Sequence, residues 1–209
     1  SGNYPTIADS RLISPGIDLP EVGINEEVVL RFQEYWSYQA ADAGKVQISV
    51  FENGAWTDWT DLGSRINWSS VWQHGRVNLS AYAGQRIRIA FYHTEDYEDK
   101  SGTWGSSVST GWYIDDVEII HQVIPVLNQV MGFESGWEGW HSDQGLWQVG
   151  EATSGPGSCY GEVGQCAGTI LSGNYPTIAD SRLISPVIDL PEVGINEEVV
   201  LRFQEYWSY

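Results

Sequence analysis

Of the side chains that could do chemistry, three sets of carboxylates stand out as able to hold a metal: Glu134 in GFES, Asp115 and Asp116 in YIDDV, and the cluster Glu95, Asp96, Glu98 and Asp99. Calcium takes about six to eight oxygens, several of them carboxylate or backbone carbonyl, so acids gathered by loops suit it. The competing reading of the same residues is one aspartate capping a turn and the rest solvated. Catalysis would need a nucleophile with an oriented base, or two carboxylates facing each other across a cleft. The sequence has no GxSxG, no HExxH and no phosphate loop. On a regular strand Asp115 and Asp116 project to opposite faces, so they cannot act as a pair. His74, His93, His121 and His141 are scattered without ligand spacing. These patterns predict a protein that is not an enzyme.

Two cysteines, Cys159 and Cys166, flank six residues of the turn-rich stretch GSCYGEVGQCAG. A local disulfide is the expectation, with a pair of free thiols as the alternative; a zinc site lacks two further ligands at suitable spacing. A disulfide implies an oxidising, extracellular setting. Aromatic rings stack on the CH faces of sugars, and eleven tryptophans raise that chemistry. Trp112 and Trp147 sit in strand contexts and read as core. Trp56, Trp59, Trp104, Trp137 and Trp140 lie near turns, as do Trp68 and Trp72, and could form a glycan-stacking platform or seal the ends of a sandwich. Asn67-Trp68-Ser69 and Asn78-Leu79-Ser80 match the short N-glycosylation pattern.

The elements that must position these residues belong to a repeat. Residues 172–209 restate residues 1–38 at an offset of 171, with Gly16 replaced by Val187. A period of that size makes each unit a domain with its own core rather than a solenoid rung. The 209-residue window then holds one period and a restart, and its ends need not be natural termini. Ten basic residues stand against 28 acidic ones, a net charge of −18. Such a field repels nucleic acid and anionic lipid and favours divalent cations. With 42% hydrophobic residues the chain is too apolar for a disordered acidic tail, and no apolar run reaches the length needed for membrane insertion.

Alternation with a period of two runs through Val28, Leu30 and Phe32, through Val46, Ile48 and Val50, through Ile87, Ile89 and Phe91, and through Val117 and Ile119. Half-buried antiparallel strands follow, with turns at Glu52-Asn53-Gly54 and Tyr82-Ala83-Gly84-Gln85. About nine strands per unit are predicted, near Leu146, Ala167, Leu183, Val200, Val46, Trp56, Val77, Ile87 and Ile114. A domain start is read at Gly132, which makes residues 1–122 the back portion of one repeat, 123–131 a linker, and 132–209 the front portion of the next. Residues 172–209 are expected in a different folded unit from 1–38. Residues 198–207 are expected to pair with a neighbouring copy of Lys45–Glu52 or Ile87–Phe91, because a strand with an uncovered edge otherwise invites aggregation.

Read in the order GFESG at Gly132, DSRLISPVIDL at Asp180, WQHGRVNLSAYAGQRIRIAFYH at Trp72 and GWYIDDVEI at Gly111, the chain resembles the MAM-like and cleaved-adhesin-like modules of large secreted proteins. The resemblance implies an all-β, antiparallel, concanavalin-like jelly-roll β-sandwich in tandem repeats of about 171 residues. In such a fold the first and last strands lie side by side, which implies a structural calcium held by Glu134 with Asp115 or Asp116. It also implies surface proteins, adhesins and non-catalytic parts of secreted hydrolases, without fixing one ligand. The expected function is therefore a non-catalytic module of an extracellular fibre, filament or adhesin, with neighbouring copies of the repeat as partners. A carbohydrate-binding module with glycans as partners is the alternative.

Overall fold

The computed structural model describes residues 9–38, 42–65, 69, 71–95, 109–162, 164–177 and 180–208, so Trp68, Trp104, Asn67, Asp96, Glu98 and Asp99 lie outside the described residues. The chain divides into two compact units, residues 1–122 and 123–209. The architecture is all-β, with a single 3-10 turn, at Ser80–Tyr82, among the described residues.

The first unit holds β1 (Ser10–Ile13), β2 (Ile17–Asp18), β3 (Glu26–Ser37), β4 (Asp42–Glu52), β5 (Ala55–Trp56), β6 (Thr60–Arg65), β7 (Gln73–Asn78), β8 (Arg86–Glu95) and β9 (Gly111–Val123). β1 and β2 pair with β8, β8 with β4, and β4 with β5 and β6, giving a six-stranded sheet; β7, β3 and β9 form a second sheet in that order. The alternation read from the sequence decides which faces meet. Val46, Ile48 and Val50 from β4 and Ile87, Ile89 and Phe91 from β8 bury against Val28, Leu30 and Phe32 from β3, so a β-sandwich core lies between the sheets. Phe32 and Phe91 meet edge to face at 4.9 Å. Gly75 on β7 lies directly beneath the Phe32 ring, where a Cβ would collide with it. Asn53 and Gly54 both take positive φ (51° and 83°), which a two-residue hairpin between β4 and β5 requires.

β3 pairs with β7 and β9, and it faces β4 and β8 across the core rather than joining their ladder. The first copy of the repeated strand thus has neighbours other than the Lys45–Glu52 or Ile87–Phe91 expected beside residues 198–207. Alternation identifies which face of a strand is apolar but not which strand lies beside it.

β9 is irregular at its centre. Trp112 and Ile114 pack on the core, and so does Ile119, which means that even residues point inward before Asp115 and odd ones after it. Asp116 has φ 47° and takes up the extra residue of a bulge, which reverses the faces. Asp115 stabilises it by accepting the Asp116 N–H at 2.9 Å. The expectation that the two aspartates alternate across a regular strand is thereby corrected: both are exposed at the bulge.

The second unit has short strands: β10 (His141–Ser142) pairs with β13 (Leu183–Ile184), and β11 (Gln148–Gly150) with β12 (Cys166–Gly168). The strand predicted near Leu146 begins two residues later, at Gln148. Val200 is in no strand, although its counterpart Val29 is fully buried in β3. The sequence around the two is identical, so this difference comes from what surrounds each copy, a dependence that β structure shows strongly.

Candidate functional site

The outward face of the three-stranded sheet is the most chemically furnished surface of the first unit. Odd residues of β3 point there. Glu27 is 1% exposed, yet it accepts from Arg76 Nη2 at 2.7 Å, Asn78 Nδ2 at 3.0 Å and Gln122 Nε2 at 2.8 Å. A carboxylate can be buried only when it is paired in this way. The Asn78 amide of the second glycosylation pattern is thus engaged with Glu27. Arg31 follows, paired with Glu118 at 2.8 Å, then Gln33 against His74 Nδ1 at 2.9 Å. Burial, with the nearby Arg31 charge adding to it, lowers the His74 pKa below its ordinary value.

At the far end of that face Tyr35 stands between Trp72 (ring centroids 6.2 Å apart) and Tyr113 (6.1 Å). Trp72 is 47% and Tyr113 48% exposed. This open aromatic cluster, with Gln33 and His74 beside it, was not identifiable from sequence spacing, because its members come from β3, β9 and the approach to β7. Trp72 alone was marked, as a tryptophan near a turn; for Tyr35 and Tyr113 period-two parity was the signal available, and the bulge obscures it on β9.

The outer face of the six-stranded sheet uses its aromatic rings differently. The Arg88 guanidinium lies 4.0 Å from the Trp56 centroid and 5.3 Å from that of Trp59. Arg11 sits 3.7 Å from Tyr92 and 5.9 Å from Trp59. Two of the tryptophans marked as glycan-stacking candidates therefore already face arginines, which is a stabilising cation–π arrangement. Asp61 accepts from Gln47 and Lys45, and these two hydrogen bonds hold its carboxyl below the usual range. Toward the core side of β3, Arg65 Nε donates to both oxygens of Glu34 at 2.8 Å and Trp112 Nε1 donates at 3.0 Å. Burial nonetheless pushes the Glu34 carboxyl up, against the pull of Arg65 and Trp112. Trp112 thus lies on the core as its strand context predicts.

In the second unit Trp137 and Trp140 are half-buried. Trp140 donates its backbone N–H to Trp137 O at 2.8 Å and packs on Phe133 at 5.7 Å. Glu134 is exposed and accepts the Gln165 N–H at 3.1 Å, over a glycine at 164 (φ 92°) whose Cβ would strike the carboxylate. Cys159 and Cys166 form a disulfide, with Cα atoms 5.6 Å apart. Among the described residues no group of three or more His, Cys, Asp or Glu side chains converges as a metal site, and no helix is long and apolar enough to cross a membrane.

No family model matches the chain. Bacillopeptidase F of Bacillus subtilis is 31% identical over 117 residues, which is 56% of this chain and 7% of the length of that protein. So small a share of the larger protein leaves the activity named for it out of what can be transferred.

Proposed function

We propose that this chain is part of a non-catalytic repeat module of an extracellular surface fibre, filament or adhesin, built as a jelly roll in tandem units of about 171 residues. The observation that carries the reading is the return of 38 residues with one difference at an offset of 171. Near-identical copies give length and many weak contacts, and a modest site gains avidity by repetition. The acidic balance, which leaves −14 for one period, keeps such an array soluble and self-repelling along its length. The disulfide suits an oxidising, extracellular location.

Calcium belongs to the same reading. Glu134 would supply one carboxylate, and Asp115 or Asp116 of the same complete repeat would supply another. Asp115 and Asp116 are exposed at a bulge that leaves their outer oxygens open, and Glu134 is fixed in place by the Gln165 amide. The ion would join the first and last strands and neutralise part of the acidic field. Thermal unfolding of a chain containing one complete repeat should move upward with calcium and fall with EDTA, and Glu134→Gln should remove the difference. An unchanged curve ends the calcium assignment.

The alternative, a carbohydrate-binding module of a larger secreted protein, is favoured by one feature, the Tyr35, Trp72 and Tyr113 cluster with polar groups at its edge. Glycan-array screening separates the two. The fibre reading expects no glycan above background, whereas binding that Trp72→Ala abolishes would establish the alternative.

A further inference from the structure

The two copies of the repeated segment are covered in complementary ways. Leu12 is 66% and Ile13 45% exposed in the first copy, while their counterparts Leu183 and Ile184 are half-buried. Farther along the order reverses. Leu19 and Phe32 are buried at 5% and 2%, but Leu190 and Phe203 are each 67% exposed. Ile24 and Ile195, in the turn between these stretches, are 94% and 95% exposed, the same in both copies.

Backbone direction shows that the two sets of partners do not compete. Along an antiparallel strand the N–H and C=O groups of successive residues turn to opposite edges. Ser14 donates its N–H to Ile89 O at 2.9 Å, so even residues of the first copy address β8 and Arg11 and Ile13 address the open edge. In the second unit Arg182, the counterpart of Arg11, accepts the Asp143 N–H at 3.1 Å, so β10 lies on that other edge. The side chains are compatible as well. Arg11 uses Nε on Gln47 at 2.8 Å, and Arg182 uses Nη1 on Asp143 at 2.6 Å. The single difference fits too: a Cβ at Gly16 would lie 3.1 Å from the exposed end of Arg86, which can give way to Val187.

We propose that residues 132–208 dock onto the copy of residues 42–122 that completes the same repeat, with Leu183–Ile184 as the strand shared between β10 and that copy's β8. Residues 197–208 then enter as the central strand between the copy's β7 and β9. The proposal rests on the repeat-array reading and adds its junction and register.

The test extends the full 209-residue chain after Tyr209 with a second copy of residues 39–122. Because residues 26–37 and 197–208 are identical, Ile195→Val in the exposed turn marks the second copy by mass. Hydrogen exchange at residues 198–207 should slow by at least about a thousandfold on extension, toward the rates of residues 27–36. Register is read separately by Ile184→Cys with Ala90→Cys in the added copy, since Ile13 and Ala90 are directly opposite and form the closely spaced, non-hydrogen-bonded type of pair. This pair should oxidise to a disulfide. Ile188→Cys, whose counterpart Ile17 faces Ile87, should not reach the Cys at 90. Fast exchange at 198–207 in the extended chain, or equal cross-linking from 184 and 188, overturns the junction. Glycan binding would instead unseat the functional reading and leave this junction standing.

Discussion

Phenylalanine occurs at the same place in both copies of the repeat, and truncating each in turn measures what the surroundings contribute. Phe32 is 2% exposed, packs edge to face on Phe91 at 4.9 Å and covers Gly75. A phenylalanine side chain buries roughly 150 to 250 Å², worth about 4 to 6 kcal/mol at ~25 cal/mol per Å². Phe32→Ala should therefore cost about 3 to 5 kcal/mol, which matches the general cost of emptying such a site. Phe203 is 67% exposed, so about a third of that area is covered and Phe203→Ala should cost at most about 2 kcal/mol, an upper limit because unfolded chains also shield part of the ring. Urea titration followed by tryptophan fluorescence and circular dichroism gives both values, provided that the slope m is unchanged. In thermal scans Phe32→Ala should lower the first unit's transition by about 10 to 20 °C. Equal losses from the two truncations would refute the reasoning, because they would mean that the two copies sit in equivalent environments. In the chain extended by residues 39–122, Phe203→Ala should become as costly as Phe32→Ala.

His74 titrates with the opposite sign to a salt-bridged histidine. Its folded pKa is lowered, so between that value and about 6.5 the unfolded chain binds more protons and stability falls as the pH drops through this window; His74→Gln should flatten the dependence there in denaturant titrations at pH 7.5 and 5.5. Reduction of Cys159–Cys166 should destabilise the second unit by about 2.5 kcal/mol, the loop-entropy value for so short a closure, and leave the first unit's transition unmoved. A shift in the first unit's midpoint on reduction would count against two independently folding units.

The strands of the first unit were legible because their core residues alternate: β4 and β8 alternate over their buried halves and reappear as the centre of the six-stranded sheet. Which strands are neighbours was not legible. β3 and β4 follow each other in sequence yet belong to different sheets, and no local property of Val28, Leu30 and Phe32 records that. The disulfide could be read from an isolated pair of cysteines. The aromatic cluster could not, because Tyr35, Trp72 and Tyr113 meet through pairing of distant strands, and tryptophans near turns drew attention to Trp56 and Trp59, whose neighbours Arg88 and Arg11 come from other strands. At Asp115 and Asp116 the period failed for a local reason: an aspartate tolerates positive φ, and the resulting bulge shifts the pattern by one residue.

The repeated segment separates what is encoded locally from what is imposed by partners. In both copies Asn25 and Asn196 adopt positive φ (60° and 72°), and the glutamate that follows, Glu26 or Glu197, accepts the N–H of Gly23 or Gly194 at 2.8 Å. The turn is therefore a property of Gly-Ile-Asn-Glu itself, closed by side chains within four residues. The twelve residues that follow are the same in both places. They form a buried central strand where β7 and β9 flank them and no strand where residues 197–208 lie exposed. The free energy that holds β3 must then reside in cross-strand pairing and in the core beneath it, since chain propensity is common to both copies. A segment of this kind is locally ready at its turn and globally undecided along its strand. That is the property a modular array needs where the front and back portions of a repeat meet, because the strand forms only where its correct neighbours are supplied.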